Sequence, residues 1–338
     1  MANDRPAEDG LLTCPKNFNS PPVYQSKKQY PTMKLNHLFT LARTCRVILL
    51  ATLALFSAGA LKAANFFDDT ISGINFGNAS GGATAGHKNW AIFALSGGVT
   101  ITDPTLDGSF DVLGNVAIGG AGVLTMSASR IQGYYNSETS TPVLSGGANN
   151  TGYTSFNSVG GANGSYVNTG VTNANSASTT AAGLGNVTGG LAFGGAFGGV
   201  PSTVALNNTG ASISGAAGQT YVLNLTDLIL SGAGAILTLS GTSTTNYVIN
   251  VNRYMTLSSS AQIALSGGIG ANNVLFNVKS NSPSYDVTMS GASVVNGIIL
   301  APSRNVKLTG ASVVYGEVIA KGVSLSGRSK VINPYVSP

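Results

Sequence analysis

The sequence is poor in the residues that do chemistry. Of its 338 residues, 9% are charged, two are histidine, two are cysteine and one is tryptophan. Both cysteines, Cys14 and Cys45, lie in the first 63 residues. Residues 64–338 therefore have neither a disulfide framework nor a thiolate site. Charge is unevenly spread. Eight of the 17 Lys and Arg and three of the 12 Asp and Glu fall within residues 1–63, leaving nine of each beyond. The formal charge of +5 belongs to the leader, and the remaining chain is neutral. A nucleic-acid surface needs a basic patch, so nucleic acid is not an expected partner. The histidine that remains, His87, sits in the loop-like Ala85-Gly86-His87-Lys88. A metal centre wants two or more ligands at matched spacing, and no metal or cofactor is expected.

Long apolar runs are also scarce. The run 47–61 is 15 residues long, too short for a comfortable membrane span. Lys34, Arg43 and Arg46 precede it, and Ala58-Gly59-Ala60 and Leu61-Lys62-Ala63 offer small-residue cleavage sites, the second preferred. Residues 33–63 thus read as a signal peptide, with a retained anchor as the alternative. Cys45 precedes the apolar run, unlike a lipoprotein cysteine. Residues 1–32 show no periodicity and read as a spurious extension, with Met33 as the true start. Residues 64–338 read as one exported domain with no membrane span.

Glycine, with 45 residues, is abundant, and it punctuates a repeat. Thr288-Met289-Ser290-Gly291-Ala292-Ser293-Val294-Val295 recurs 19 residues later as Lys307-Leu308-Thr309-Gly310-Ala311-Ser312-Val313-Val314, and faintly as Ser324-Leu325-Ser326-Gly327-Arg328-Ser329-Lys330-Val331. A period near 20 built of short β-rich runs is the mark of a solenoid with one repeat per coil. Period-two alternation points Met289, Leu308 and Leu325 inward, with Val295, Val314 and Val331. Ser-Gly-Ala-Ser is the corner between strands. In the next run Glu317 shares its parity with the apolar Leu300 and Ile319, so that face is expected to lie under another segment, such as a helix. The fold class is all-β, a right-handed parallel β-helix with one short flanking helix.

Leu-Ser-Gly at 230–232, 239–241 and 265–267 reads as strand ends entering turns. Residues 146–200 read as a Gly/Asn/Ser-rich insertion, and residues 65–90 as a cap on an open end of the solenoid, which would otherwise offer a free edge.

Asp111-Val112-Leu113-Gly114-Asn115-Val116-Ala117-Ile118-Gly119-Gly120, then Asn273-Val274-Leu275-Phe276-Asn277-Val278, Gly297-Ile298-Ile299-Leu300-Ala301-Pro302 and Gly316-Glu317-Val318-Ile319-Ala320 resemble the choice-of-anchor A domain. That is an adhesive module of bacterial secreted and surface proteins. The resemblance covers roughly residues 90–335. The C-terminal half also resembles ice-binding-like proteins, which share a β-solenoid with a flanking helix. Such relatives place the helix near 171–184, where Ala174, Ala177, Ala181 and Ala182 fit and residues 178–180 and Gly183 weaken it. The choice-of-anchor family carries an anchor after the domain. The sequence reaches Pro338 with no apolar helix or basic tail, so secretion and surface exposure both stay open.

Sites for catalysis are hard to assemble. Polysaccharide-active β-helix enzymes need clustered acids for acid–base work; here nine acids are spread over residues 64–338, and Asp68-Asp69 reads as a solvated pair. Ser293 lacks the second glycine of a nucleophile elbow. Leu191-Ala192-Phe193-Gly194-Gly195-Ala196-Phe197-Gly198-Gly199 lacks the Lys-Ser/Thr ending of a phosphate loop. Asp103, Asp107 and Asp111 are weak calcium candidates, because hard cations favour such oxygen ligands; turn capping is the default. An ice-binding face would need a flat file of small hydroxyl and methyl groups, and Lys307 interrupts Thr288 and Ser324, as Lys330 ends Val294 and Val313. The expected function is an adhesin-like surface module without catalysis, its partner a glycan, a protein or ice, with ice binding as the alternative and a β-helix enzyme a distant third.

Overall fold

A computed structural model describes residues 90–103, 110–133, 135–137, 142–150, 156–157, 162–279 and 285–333. Strands follow one another around three faces, and the strands of successive coils pair in parallel with their counterparts. The described residues therefore form a parallel β-solenoid with one α-helix. The 19-residue repeat sets the register as the alternation requires. Thr288 pairs with Lys307 and Met289 with Leu308; Val294 pairs with Val313 and Val295 with Val314. Met289, Leu308, Val295, Val314 and Val331 are fully buried, and Leu325 almost so.

The Ser-Gly-Ala-Ser corner is built from two successive left-handed residues. Gly291 and Ala292, Gly310 and Ala311, and Gly327 and Arg328 all have φ near +60°. Alanine and arginine tolerate this region poorly, so something must hold them there. The closing serine does so. Ser312 and Ser329 are buried, and each Oγ donates to the carbonyl three residues back, Ser312 to Thr309 and Ser329 to Ser326, both at 2.8 Å. Ser293 does the same toward Ser290.

The order of coils is not the order of sequence. Stacking runs from the coil of residues 204–225 upward through the repeats to the coil of residues 313–333. The next coil is the first described one. Ile92 pairs with Val318, Thr100 with Ser324 and Val112 with Val331. The stack then continues through Val116 and Thr125 to Val143–Ser145 and Phe156–Asn157. Trp90, expected in a capping segment, instead opens a strand in mid-stack, buried and stacked on Phe93 at 5.9 Å. Residues 65–89 lie outside the described residues. The cap seen at the 204 end comes from elsewhere: Ala192–Gly195, the glycine-rich stretch, pairs antiparallel with Ala211–Ser214, and Val187 bridges antiparallel to Val222.

The chain must travel from one end of this stack to the other, and a helix, Ala162–Ala182, makes the journey. Its 21 residues span about 31 Å at 1.5 Å per residue. Six coil spacings, from Tyr135–Ser137 to Asn246–Val251, come to about 29 Å at 4.8 Å each. Val167, Ala174, Ala177, Ser178 and Ala181 form its buried stripe. They pack on Val248, Leu275, Ile298, Leu300 and Ile319, the outward apolar row expected to be covered. The helix begins nine residues before the expected start at 171, because its length is set by the stack it crosses.

Composition alone would not sustain it. No acid sits in its first turn and no base in its last. Thr179 and Thr180 turn their hydroxyls back to the carbonyls four residues earlier, each at 2.9 Å. A file of asparagines beneath its C-terminal half supplies further partners. Asn277 Nδ2 donates to the Ser178 carbonyl at 3.0 Å and to Asn250 Oδ1 at 2.8 Å, while Ser178 Oγ donates to Asn277 Oδ1 at 2.6 Å. Asn250 Nδ2 donates to the Ala181 carbonyl and to Asn224 Oδ1, both at 2.8 Å, and Asn224 Nδ2 reaches the Leu184 carbonyl at 3.1 Å. These amides add second donors to carbonyls that the backbone already serves, as Leu184 N–H serves Ala181 at 3.1 Å, and so dock the end of the helix on the sheet in a dry setting.

Asn277→Leu should therefore destabilise by on the order of 3 kcal/mol, since it leaves the Ser178 carbonyl and Asn250 Oδ1 buried without this donor. Hydrogen exchange of the helix amides should rise before that of the strands; equal protection in both variants would contradict the docking role. Ser312→Ala should cost roughly 1–2 kcal/mol, read as a melting point lowered by about 2–4 °C per kcal/mol.

Candidate functional site

With one face under the helix, two faces remain as surfaces, and their outward rows can be read from the registers. On the first, here the serine face, inward residues such as Leu206, Leu230, Leu257, Met289, Leu308, Leu325, Ile101 and Met126 alternate with two outward files. One file runs Ala205, Ile229, Thr256, Thr288, Lys307, Ser324, Thr100, Thr125, Val143. The other runs Asn207, Ser231, Ser258, then Ser290 and Thr309 at the strand ends, then Ser326, Thr102, Ser127 and Ser145. Every member of this second file carries a short polar side chain. Files two residues apart on a strand lie about 6.6 Å from one another, and successive members about 4.8 Å. The face is thus a two-dimensional array of small groups.

Some of these hydroxyls bond along the stack. Ser258 Oγ donates to Ser231 Oγ at 3.3 Å, and Thr288 Oγ1 to Thr256 Oγ1 at 3.2 Å. Each of the four can both give and accept. Lys307 breaks the regularity. Its side chain is 52% exposed and its Nζ lies 2.7 Å from Asp286 Oδ2.

The other open face is more mixed. Its files run Ile236, Gln262, Val294, Val313, Lys330 and Ser212, Thr238, Ala264, then Asn296, Tyr315, Ile332, Leu113, Gln132. Tyr315 stands 39% exposed in the middle. This face offers no unbroken small-residue file.

The acidic trio is only partly placed. Asp103 and Asp111 lie together at a corner, 5% and 3% exposed; Asp107 lies outside the described residues. Asp111 Oδ2 accepts the Arg130 N–H at 2.8 Å. Burial pushes the Asp111 carboxyl up to about 6, against the Arg130 amide, with the adjacent Asp103 adding to the rise and Lys330 opposing it. Among the described residues no group of three His, Cys, Asp or Glu could hold a metal ion. Ser293 is buried and bonded within its corner, so it presents no nucleophile. His87 and Asp68-Asp69 lie outside the described residues. Among the described residues no helix is long and apolar enough to cross a membrane.

The sequence held a signal for the serine file. Leu230-Ser231-Gly232 is one of the recurrent strand ends, and Ser231 is a member; the Leu-Ser-Gly at 239–241 and 265–267 mark the next corner round, where Ser266 Oγ donates to Ser240 Oγ at 2.8 Å. The registers that align these serines with Ser326 and Thr102 span the discontinuity and cannot be seen locally.

The class the described residues define is a helix-backed parallel β-solenoid with two open faces. The chain belongs to the family described as "Putative Ice-binding-like adhesive domain", whose model matches residues 83–331. No curated protein is significantly similar in sequence. Among solved structures, a glycosylated ice-binding protein from an Arctic yeast is 19% identical, over 74% of this chain and 93% of that one, with a TM-score of 0.48. An ice-binding protein from the Antarctic ascomycete Antarctomyces psychrotrophicus is 18% identical, over 68% and 97%, with a TM-score of 0.42. A Shewanella frigidimarina ice-binding protein domain is 16% identical, over 72% and 93%, with a TM-score of 0.40.

The raised Asp111 pKa has a defined consequence. Between about 3.8 and about 6 the folded chain holds a proton that the unfolded chain has released. Its stabilising contribution is complete below 3.8 and is lost as pH rises through 6. Thermal melts from pH 4 to pH 7.5 should show wild type losing on the order of 2 kcal/mol more than Asp111→Asn. Parallel pH profiles for the two proteins would show that the carboxyl is not the source.

Proposed function

We propose that the chain is an exported adhesive module, non-catalytic, that binds a partner through its serine face. The observation that carries this is the file from Asn207 to Ser145, which continues through the discontinuity at Ser326 and Thr102. Short side chains lose little rotamer freedom on contact, and a rigid ladder presents them together, so weak contacts add. The family's adhesive description is in keeping with this. The signal-like residues 33–63 support export.

Ice is the second reading, favoured by the same unbroken file. Against it stand Lys307, which projects from the neighbouring file, and Ile229 and Val143, which vary its height. A crystal plane demands flatness, whereas a flexible polymer does not.

The test takes the purified chain and a Ser326→Tyr/Thr102→Tyr variant through two assays. Retention on glycan- and cell-coated beads should fall at least tenfold in the variant, and neither protein should inhibit ice recrystallisation at micromolar concentration. Inhibition by folded chain that vanishes on unfolding would make ice the primary partner. Bead retention unchanged by the two tyrosines would remove the serine face from the reading.

A further inference from the structure

At one edge of the serine face the hydroxyls give way to a charged and aromatic patch. Tyr254 and Tyr285, on successive coils, meet edge to face with ring centroids 4.6 Å apart. Arg253 lies over the Tyr254 ring at 5.1 Å, and the buried Arg304 lies against the Tyr285 ring at 5.7 Å. Arg304 is a structural staple: its guanidinium donates to the carbonyls of Arg253, Tyr285 and Asn252, which fixes this corner. Arg253 pairs in bidentate fashion with Asp227, Nε to Oδ1 at 2.9 Å and Nη2 to Oδ2 at 2.6 Å. Lys307 pairs with Asp286.

The two ion pairs are asymmetric. The carboxylates are the hidden partners, 6% and 16% exposed; the cations are the presented ones, at 49% and 52%. Asp227 is held low by the Arg253 side chain, the largest influence on it, and by the Tyr254 amide. These carboxylates therefore act as sockets that aim cations outward. The bidentate pair leaves Nη1 of Arg253 unused by Asp227, and Lys307 Nζ, with three donors, spends one on Asp286. A tyrosine pair thus lies between two outward donors, with Thr256 and Thr288 adjacent in the hydroxyl file.

From this geometry we infer that the Tyr254–Tyr285 corner is a subsite for an acidic glycan, a uronate-bearing polysaccharide. It rests on the serine-face reading above and names the chemistry of its partner. The sugar ring packs against the half-buried tyrosine pair, its carboxylate takes the guanidinium and ammonium donors, and further residues of the chain run along the hydroxyl file. Charge complementarity selects a uronate over a neutral sugar.

The probes are alginate, a uronate polymer, and its carboxyl-reduced neutral derivative, offered to the purified chain. Alginate should bind at least tenfold more tightly, with the preference shrinking as salt rises. Lys307→Gln, an exposed change, should cut the preference severalfold without moving the melting point. Arg253→Gln combined with Asp227→Asn keeps a neutral hydrogen-bonded pair and should do the same. Tyr254→Ala should weaken both polymers alike. Equal affinity for the two polymers, or a preference that survives both charge variants, overturns the subsite. If both polymers bind equally and Ser326→Tyr/Thr102→Tyr still abolishes retention, the subsite fails and the serine face stands. If neither set of variants matters, both readings fall.

Discussion

The structure depends on one seam. The strands at Ile92, Thr100 and Val112 pair with the coil at Val318, Ser324 and Val331, although most of the domain's length separates them in sequence. Loop closure of that span costs entropy that grows only slowly with length, and its contacts are all non-local, a topology that folds slowly. Asn333 locks the seam: buried, it donates to the Trp90 carbonyl at 2.9 Å and to Glu317 Oε1 at 3.2 Å. Because the first described coils are added beyond the last, the chain has to cross the stack to begin again at residue 204. The helix follows from that necessity. So do its length, the burial of one whole face, and the availability of the other two.

The helix shows how far tertiary packing overrides propensity. Its Gly, Asn, Ser and Thr content is unfavourable, and isolated helices of such composition are not stable in water. Burial of Val167, Ala174, Ala177 and Ala181 on the apolar rows supplies one part of the compensation. The asparagine file supplies the other, by placing amides where the last carbonyls emerge. The file stops where the helix no longer needs it. The row Asn224, Asn250, Asn277 continues as Leu300, Ile319 and Phe93, all buried, beneath the earlier turns of the helix.

What could be read in the sequence was what is local. Period-two alternation gave inward Met289, Leu308 and Leu325, the nineteen-residue offset gave their register, and Glu317 among apolar neighbours marked a covered face. The order of coils could not be read, because any parallel edge of matching alternation fits any other; nothing in residues 90–133 says that their neighbour is residue 318. The helix boundary was missed for the same reason, since it answers to a distance across the stack. The asparagines were visible in Leu223-Asn224-Leu225, Ile249-Asn250-Val251 and Phe276-Asn277-Val278, a polar residue recurring between inward apolar ones, but without the helix they have no partner to explain them. The serine file hid likewise, each member an ordinary short polar residue at a strand end until nine coils are stacked in order.

A hydroxyl file is a weak binder at any one point. Each hydrogen bond that it makes to a partner replaces one to water, and the net gain is about 1 kcal/mol. Affinity must come from repetition on a rigid support, which the ladder provides. Repetition alone, however, cannot tell one polyhydroxylated surface from another, since every coil offers the same donors and acceptors. Discrimination needs a place where the array is broken. Lys307 with Asp286 and Arg253 with Asp227 break it on neighbouring coils, beside a tyrosine pair. On the proposed reading, the same residues that spoil a flat lattice for a crystal plane would give a soluble polymer a charged point of register, and the two demands pull the sequence of this face in opposite directions.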